Sequence, residues 1–335
     1  MDGESPTVRH GNGIEVEAEG ITFYLDPKRL VAGSVNCVSH AHSDHLPSVT
    51  KKGEKRAVCS EITMRCAHVR KKPIEMISDP RVRLLDAGHI HGSSMFEVDV
   101  GKKVLYTGDF CTRDRPGMEG AKPVKTDVMV VEATYGHPKY EFPPTEGIIR
   151  IMRDWIEDCL SQNCSVALFA YPLGKSQSLI HILEDFEPYL HSTVMESTEA
   201  VCSCGQVHLR YRDYVQAADE PSVFICPSGS RYAVQVDQMR KRRLRTAAVS
   251  GWALNPSYRR MMGVDEAFAL SDHADYHDIM RFVKACSPQV VYTTHGGGDA
   301  QDKDFDEVLA MHIKRDLGID ARPLKKLPKG QTTLS

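Results

Sequence analysis

The sequence predicts a layered α/β fold, and two patterns predict it. Two hairpin-like pairs of short strands come first, at 14–25 and 94–109. From residue 127 onward, apolar strand-like runs alternate with segments of helical period. In chain order, IEVEA (14–18) and ITFYL (21–25) read as a hairpin across Glu19-Gly20. SVNCVSH (34–40) is a short buried strand running into a polar loop, and 61–70 is helical. SMFEVDV (94–100) and KVLYTGD (103–109) form the second hairpin, turning at Gly101-Lys102, and DVMVVEA (127–133) is a buried strand. A helix follows from Thr145, its expected N-cap, to Ser161, with Ile148, Met152, Trp155, Ile156 and Leu160 on one face. SVALFAYP (165–172) is a strand and 175–187 a helix; SVFICP (222–227) and AAVSGWA (247–253) are further strands. A helix at 275–286, the strand VVYTTH (290–295) and an amphipathic helix at 302–317 complete the chain. Residues 136–255 hold their own strand–helix alternation and read as an insertion between 1–135 and 256–335; the alternative is one continuous doubly wound sheet. There is no internal repeat, which argues against a solenoid.

The 335 residues carry a formal charge of −3, with 41% hydrophobic and 26% charged residues, an ordinary balance for a soluble globular chain. No run approaches the ~20 apolar residues of a membrane span. Met1 to Gly13 is polar and has no apolar signal region. Ten cysteines without paired spacing argue against a secreted disulfide framework and for a reducing cytoplasm. Near-neutral charge excludes a global basic field, so any nucleic acid is held by a local surface. The 15 histidines are the unusual feature.

Their centre is His40-Ala41-His42-Ser43-Asp44-His45, directly after a buried strand. In an extended loop His40 and His42 point the same way and grip one cation, while Asp44 and His45 turn toward a second. Imidazole with carboxylate suits zinc, with manganese or iron as alternatives. Asp86-Ala87-Gly88-His89 opens a turn through Gly92-Ser93-Ser94, and Thr107-Gly108-Asp109 ends the second hairpin. The two oxygens of a carboxylate there are able to bridge two metals.

The HxHxDH run, the later Gly88-His89 with glycine and serine behind it, and the TGDF of 107–110 resemble the metallo-β-lactamase superfamily. The resemblance implies an αβ/βα sandwich with a two-zinc site at one edge. It implies His40, His42 and His89 on one zinc, Asp44 and His45 on the other, and Asp109 bridging. It also makes Asp26, in YLDP, the buried aspartate that hydrogen-bonds beneath the ligand loop.

Glu132 in VVEATYG, His273 in LSDHADY and His295 in VVYTTHG are similar to the three motifs of the β-CASP nucleases. That branch includes the polyadenylation-site endonuclease, ribonuclease J and DNA-repair nucleases. ALFAYPLGKSQ (167–177), VSGWA (249–253) and LSDHADY most closely resemble ligase-associated DNA exonucleases and archaeal mRNA 3′-end processing factors. The resemblance implies a β-CASP cap at 136–255, Glu132 orienting His273, and His295 as the last ligand of the second zinc. His295 stands where DNA-specific repair members carry valine, while RNA enzymes and the ligase-associated group carry histidine. Both polymers therefore stay open.

The expected activity is a zinc-dependent nuclease, an exonuclease in the first place, on single-stranded DNA or RNA ends in repair or processing. The alternative is a small-ester or thioester hydrolase on the same core. Asp44, Asp109, Glu132 and His273 are the expected catalytic residues. A poor 3′-oxygen leaving group needs a proton, and His273 held by Glu132 is placed to supply it. An ester or thioester needs that pair less. Ser93, Gly174 and Lys175 are the expected substrate-binding residues, the last two at a strand-to-helix junction. The basic run Arg240, Lys241, Arg242, Arg243 and Arg245 either lines a strand channel or is solvated surface. Besides nucleic acid, a homodimer and repair or processing proteins are the partners considered, with no membrane. Cys202, Cys204 and His208 are a weak third-metal pattern; His91 and His137 read as packing or turn residues.

Overall fold

The structure, a computed structural model, describes residues 6–217, 220–230, 243–296 and 304–325. The chain forms two compact units: Met1–Thr112 with Gly120–Tyr140 and His273–Ser335, and Arg113–Glu119 with Glu141–Asp272.

Among the described residues the first unit has two six-stranded sheets. One runs in the order Thr7–Gly11, Gly13–Ala18, Ile21–Leu25, Val35–Cys37, Arg56–Val58, Glu75–Ile77, antiparallel for three strands and parallel beyond. Its second hairpin, joining Gly13–Ala18 to Ile21–Leu25, turns at Glu19 and Gly20, both at positive φ, as a two-residue turn matching the strand twist requires. The other sheet runs Asp320–Pro323, Val290–Thr294, Val128–Glu132, Lys103–Tyr106, Ser94–Asp99, Val82–Asp86. Its first four strands are parallel, and its last three are joined as antiparallel neighbours.

Strand alternation decides what each sheet face meets. Val128 and Val130 join Phe23, Val35 and Phe96 in a core shared by the two sheets, so the sheets lie face to face. Met129 and Val131 point the other way, onto Ile279, Phe282 and Val283 of the helix Tyr276–Cys286 and Leu309 of the helix Phe305–His312. The helix Tyr276–Cys286 begins just beyond Asp275, whose carboxylate accepts the Asp278 N–H at 2.8 Å. This is a sandwich of two sheets with helix packed outside.

The second unit is a parallel sheet in the order Arg212–Asp213, Tyr189–Leu190, Val223–Pro227, Ser165–Ala170, Leu244–Val249, Glu266–Phe268. Its central strand is buried at every position. Val166, Leu168 and Ala170 pack with Met152 and Ile156 of the helix Thr145–Ser161. Ala167 and Phe169 face a second cluster with Phe224 and Tyr189. Burial on both faces is why SVALFA reads as a continuous apolar run. Thr145 is the first helical residue and not the cap: Pro144 holds that position, and no side chain caps the helix. The unit's chain runs to Asp272, beyond 255, because Glu266–Phe268 pairs with Ala247–Val249 at the sheet edge. The segment at 175–187 is a helix only over Lys175–Ile182, followed by a tighter turn at Glu184–Phe186. No helix among the described residues is long and apolar enough to cross a membrane.

Candidate metal centre

The site is built at the carboxyl ends of first-unit strands. The loop after Val35–Cys37 carries His40, His42 and His45; the turn after Val82–Asp86 carries His89. Asp109 follows Lys103–Tyr106, Glu132 ends Val128–Glu132, and His295 ends Val290–Thr294. Nitrogen and oxygen atoms of His40, His42, His89 and Asp109 lie within 4.8 Å of one another. The same holds for His45, Asp109 and His295, and for Asp109, Glu132 and His273. Asp109 belongs to all three groups. Its Oδ2 lies 3.5 Å from His40 Nε2, 3.4 Å from His45 Nε2 and 3.8 Å from His89 Nε2. The Asp44 carboxylate is outside these groups: it is 81% exposed, with Oδ2 3.9 Å from His45 Nε2.

Beneath the loop Asp26 organises the donors. Its Oδ1 accepts the Ser39 N–H at 2.6 Å. Its Oδ2 accepts the Ser39 hydroxyl at 2.6 Å and the Tyr106 hydroxyl at 2.8 Å, and lies 2.7 Å from His45 Nδ1. Because the Ser39 hydroxyl donates to Asp26, its oxygen is left to accept, and the His40 Nδ1–H donates to it at 3.0 Å. His40 then presents a bare Nε2. That atom is buried and has no hydrogen-bond partner. A buried bare imidazole nitrogen within reach of two imidazoles and a carboxylate fits a divalent cation such as zinc.

The charges agree. Burial first, then the neighbouring imidazoles, holds His40 well below the usual histidine range and so neutral. Burial opposes ionisation of Asp109, but the His45 charge prevails and its carboxyl titrates well below the ordinary value. Burial likewise opposes a charged His45; the Asp109 and Asp26 carboxylates override it and raise the imidazole well above its ordinary value.

Glu132 forms the neighbouring feature. Its carboxylate accepts the Phe110 N–H at 2.6 Å and the Thr134 hydroxyl, and lies 2.9 Å from His273 Nδ1. Burial raises its carboxyl above the ordinary value, against the pull of the His273 charge. The His273 ring lies 4.4 Å from the His89 ring, centroid to centroid.

The three expected substrate-binding positions make other contacts. The Ser93 hydroxyl accepts the His89 and Ile90 N–H groups at 3.2 and 3.1 Å, and its own N–H donates to Ile90 O, so it closes the turn that carries His89. The Gly174 N–H donates to Gln177 Oε1 at 2.6 Å. Lys175 is only 1% exposed, and its Nζ lies 3.1 Å from Asp272 Oδ1, a buried ion pair in place of a lysine offered to phosphate. Lys175→Met is therefore expected to take a counter-charge from the largely buried Asp272 carboxylate, 13% exposed, and to cost up to about 3 kcal/mol in denaturant unfolding. Adding Asp272→Leu should restore most of it; a single variant as stable as the parent would refute the pairing.

Ser39, Tyr106 and Thr134 support the site and were not singled out from the sequence. Tyr106 sits in an apolar strand and reads there as core; Ser39 and Thr134, flanking ligand motifs, carried the only local signal, a hydroxyl next to a metal or acid residue. Arg240, Lys241 and Arg242 of the basic run lie outside the described residues. Arg245 pairs with Asp265 at 3.2 Å. Cys202, Cys204 and His208 are absent from the metal-capable groups among the described residues. His137 Nδ1 accepts the Lys139 N–H at 3.2 Å, a turn contact.

A two-sheet sandwich whose strand ends carry clustered histidines and a shared aspartate defines a metallo-hydrolase class. Comparison with known proteins narrows it. A family model described as "Zn-dependent metallo-hydrolase RNA specificity domain" matches residues 258–322. A protein named "Probable DNA ligase" from Opitutus terrae is 34% identical over 77% of this chain and 26% of its own length. Cleavage and polyadenylation specificity factor subunit 3 of Dictyostelium discoideum is 31% identical over 42% of this chain and 18% of its own. DNA cross-link repair 1A protein of Mus musculus is 27% identical over 52% and 18%. The chain thus spans about a quarter or less of the length of these curated relatives. A protein of unknown function from Enterococcus faecalis V583 shares the fold, with TM-score 0.57 and 13% identity over 86% of this chain and 92% of that one. The chain belongs to the metallo-β-lactamase superfamily, in its β-CASP branch.

Proposed function

We propose that this chain is a metal-dependent phosphodiesterase, a nuclease that trims single-stranded DNA or RNA ends with two zinc ions bound. The observation that carries the reading is the Glu132–His273 pair within 4.8 Å of the shared ligand Asp109. A metal centre alone serves esters, lactams and phosphodiesters equally; a buried carboxylate aiming an imidazole beside it suits a reaction whose leaving group needs a proton. The relatives named for DNA repair and for cleavage and polyadenylation support a nucleic-acid substrate.

His40, His42 and His89 would hold one ion, His45 and His295 the other, with Asp109 between them; Asp44 is proposed to complete the second set. Bound divalent ions supply an acidified water and offset charge on the phosphoryl oxygens. Asp26, through Ser39 and His45, keeps the donor nitrogens in the tautomer that faces the centre. Glu132 takes the Nδ1 side of His273 and leaves Nε2 to deliver a proton to the departing 3′-oxygen. A water oxygen adds to phosphorus as the P–O3′ bond breaks, and the sugar 3′-oxygen leaves as a hydroxyl with the proton from His273.

The test is digestion of matched DNA and RNA oligonucleotides, each labelled at the 5′ or the 3′ end, with zinc or manganese. Metal-dependent loss of end label in single-nucleotide steps is the expected result. Turnover of a chromogenic thioester or lactam with every oligonucleotide left intact would overturn it in favour of a small-ester hydrolase.

A further inference from the structure

We infer that the carboxyl end of the second unit's parallel sheet is a stacking platform for the bases of a single strand, with Tyr171 and Trp252 as its aromatic side chains. The inference rests on the nuclease reading and adds to it the means by which the polymer is gripped.

Topology locates the platform. The central strand Ser165–Ala170 leads through the helix Lys175–Ile182 to Tyr189–Leu190, on one side of itself. Its neighbour on the other side, Leu244–Val249, leads away to Glu266–Phe268. Where adjacent parallel strands send their connections in opposite directions, the chain leaves a crevice at their carboxyl ends, the usual ligand position of such sheets. The loops bordering this crevice begin at Tyr171 and Ser250. Phe169 pairs with Ala248, so continuing the register sets Tyr171 level with Ser250.

Both loops present an aromatic ring. Every residue of Ser165–Ala170 is buried, yet Tyr171, the next residue, is 57% exposed. Trp252 is half-buried on the short turn Gly251–Leu254, and that turn is fixed by the Trp252 N–H donating to Ser250 Oγ at 3.3 Å. A 57% exposed tyrosine and a turn-mounted tryptophan just beyond neighbouring strands are the side chains on which any base stacks, a sequence-tolerant grip. The acid that follows the edge strand, Asp272, is neutralised by the buried Lys175 and does not repel a phosphate chain. In sequence Tyr171 is flanked by Ala170 and Pro172, and Trp252 by Gly251 and Ala253. Single rings between small neighbours suit a stacked base.

The test has a binding arm and a kinetic arm. The chain has two tryptophans, Trp155 and Trp252. In a Trp155→Phe background, a short phosphorothioate oligothymidylate should quench Trp252 fluorescence in the metal-loaded protein. Tyr171→Leu and Trp252→Leu should each raise KM for an oligonucleotide about 5- to 100-fold, the range for losing one base–aromatic stack. Their kcat and their turnover of bis(nitrophenyl) phosphate, which has no base, should stay at the parent level. Tyr171→Phe should keep the parent KM, because the ring is retained. Unchanged KM in both leucine variants, or an equal loss on the nitrophenyl substrate, overturns the platform while leaving the nuclease reading intact. Quenching by an oligonucleotide that the metal-loaded parent binds and never cleaves overturns the nuclease reading instead and supports the platform.

Discussion

Asp109→Ala is expected to strip the protein of metal and of activity together. No other carboxylate among the described residues lies within 4 Å of His40, His45 and His89 at once, and its Oδ2 does so at 3.4–3.8 Å. It also supplies the negative charge that offsets bound cations in a buried pocket, since its carboxyl titrates well below the usual range. Without it, three imidazoles remain around a site with no anion between them. Purified without chelator, the parent should hold about two metal equivalents, the number typical of bridged hydrolytic centres. The variant should hold at most about one, and phosphodiester cleavage should fall at least ~10³-fold, as the loss of several kcal/mol of metal-ion stabilisation requires. Thermal melting gives an independent readout. Chelator should lower the parent's Tm, because metal binding stabilises only the folded form, and should move the variant's Tm much less. A variant with the parent's metal content and rate would show that Asp109 is not the shared ligand. His40→Ala should follow the same pattern, since its bare Nε2 has no other partner.

The metal loop was legible because its ligands are dense and local: His40, His42 and His45 fall within six residues after a strand whose apolar run is plain. His89, Asp109, Glu132 and His295 were legible as strand-end residues only through their motifs, and the structure brings them together from separate strands. What the sequence hid was partnership. Lys175 stands at a strand-to-helix junction where a phosphate would sit, and its partner Asp272 lies far along the chain, beyond any local pattern. Ser93 reads as a substrate-binding residue, but its hydroxyl and its N–H both serve the His89 turn. Asp44 fits the motif and yet projects outward. In the fold, long buried runs such as Val128–Glu132 were readable, since burial on both sides makes them continuously apolar. Glu75–Ile77, Tyr189–Leu190 and Arg212–Asp213 were not: two or three residues at or near a sheet edge are too short for any periodicity.

His273→Ala should keep both metals and lose the acid. The imidazole's Nδ1 is held by Glu132, not by a donor of the His40 or His45 groups, so its removal leaves those ligand sets whole. Metal content should match the parent's, while cleavage of an oligonucleotide falls at least ~10²-fold, the usual contribution of a positioned general acid. Glu132→Gln should be milder. The amide oxygen can still accept the Phe110 N–H, but the charge that favours the protonated imidazole is gone. The leaving group separates this role from a structural one. A nitrophenolate departs without a proton, so bis(nitrophenyl) phosphate should recover most of the rate lost in His273→Ala. The same substrate should recover little in Asp109→Ala, where the loss is of metal and not of a proton donor. If His273→Ala loses a metal ion, or if the activated substrate is slowed as much as the oligonucleotide, His273 is a ligand or a packing residue and the proton comes from elsewhere.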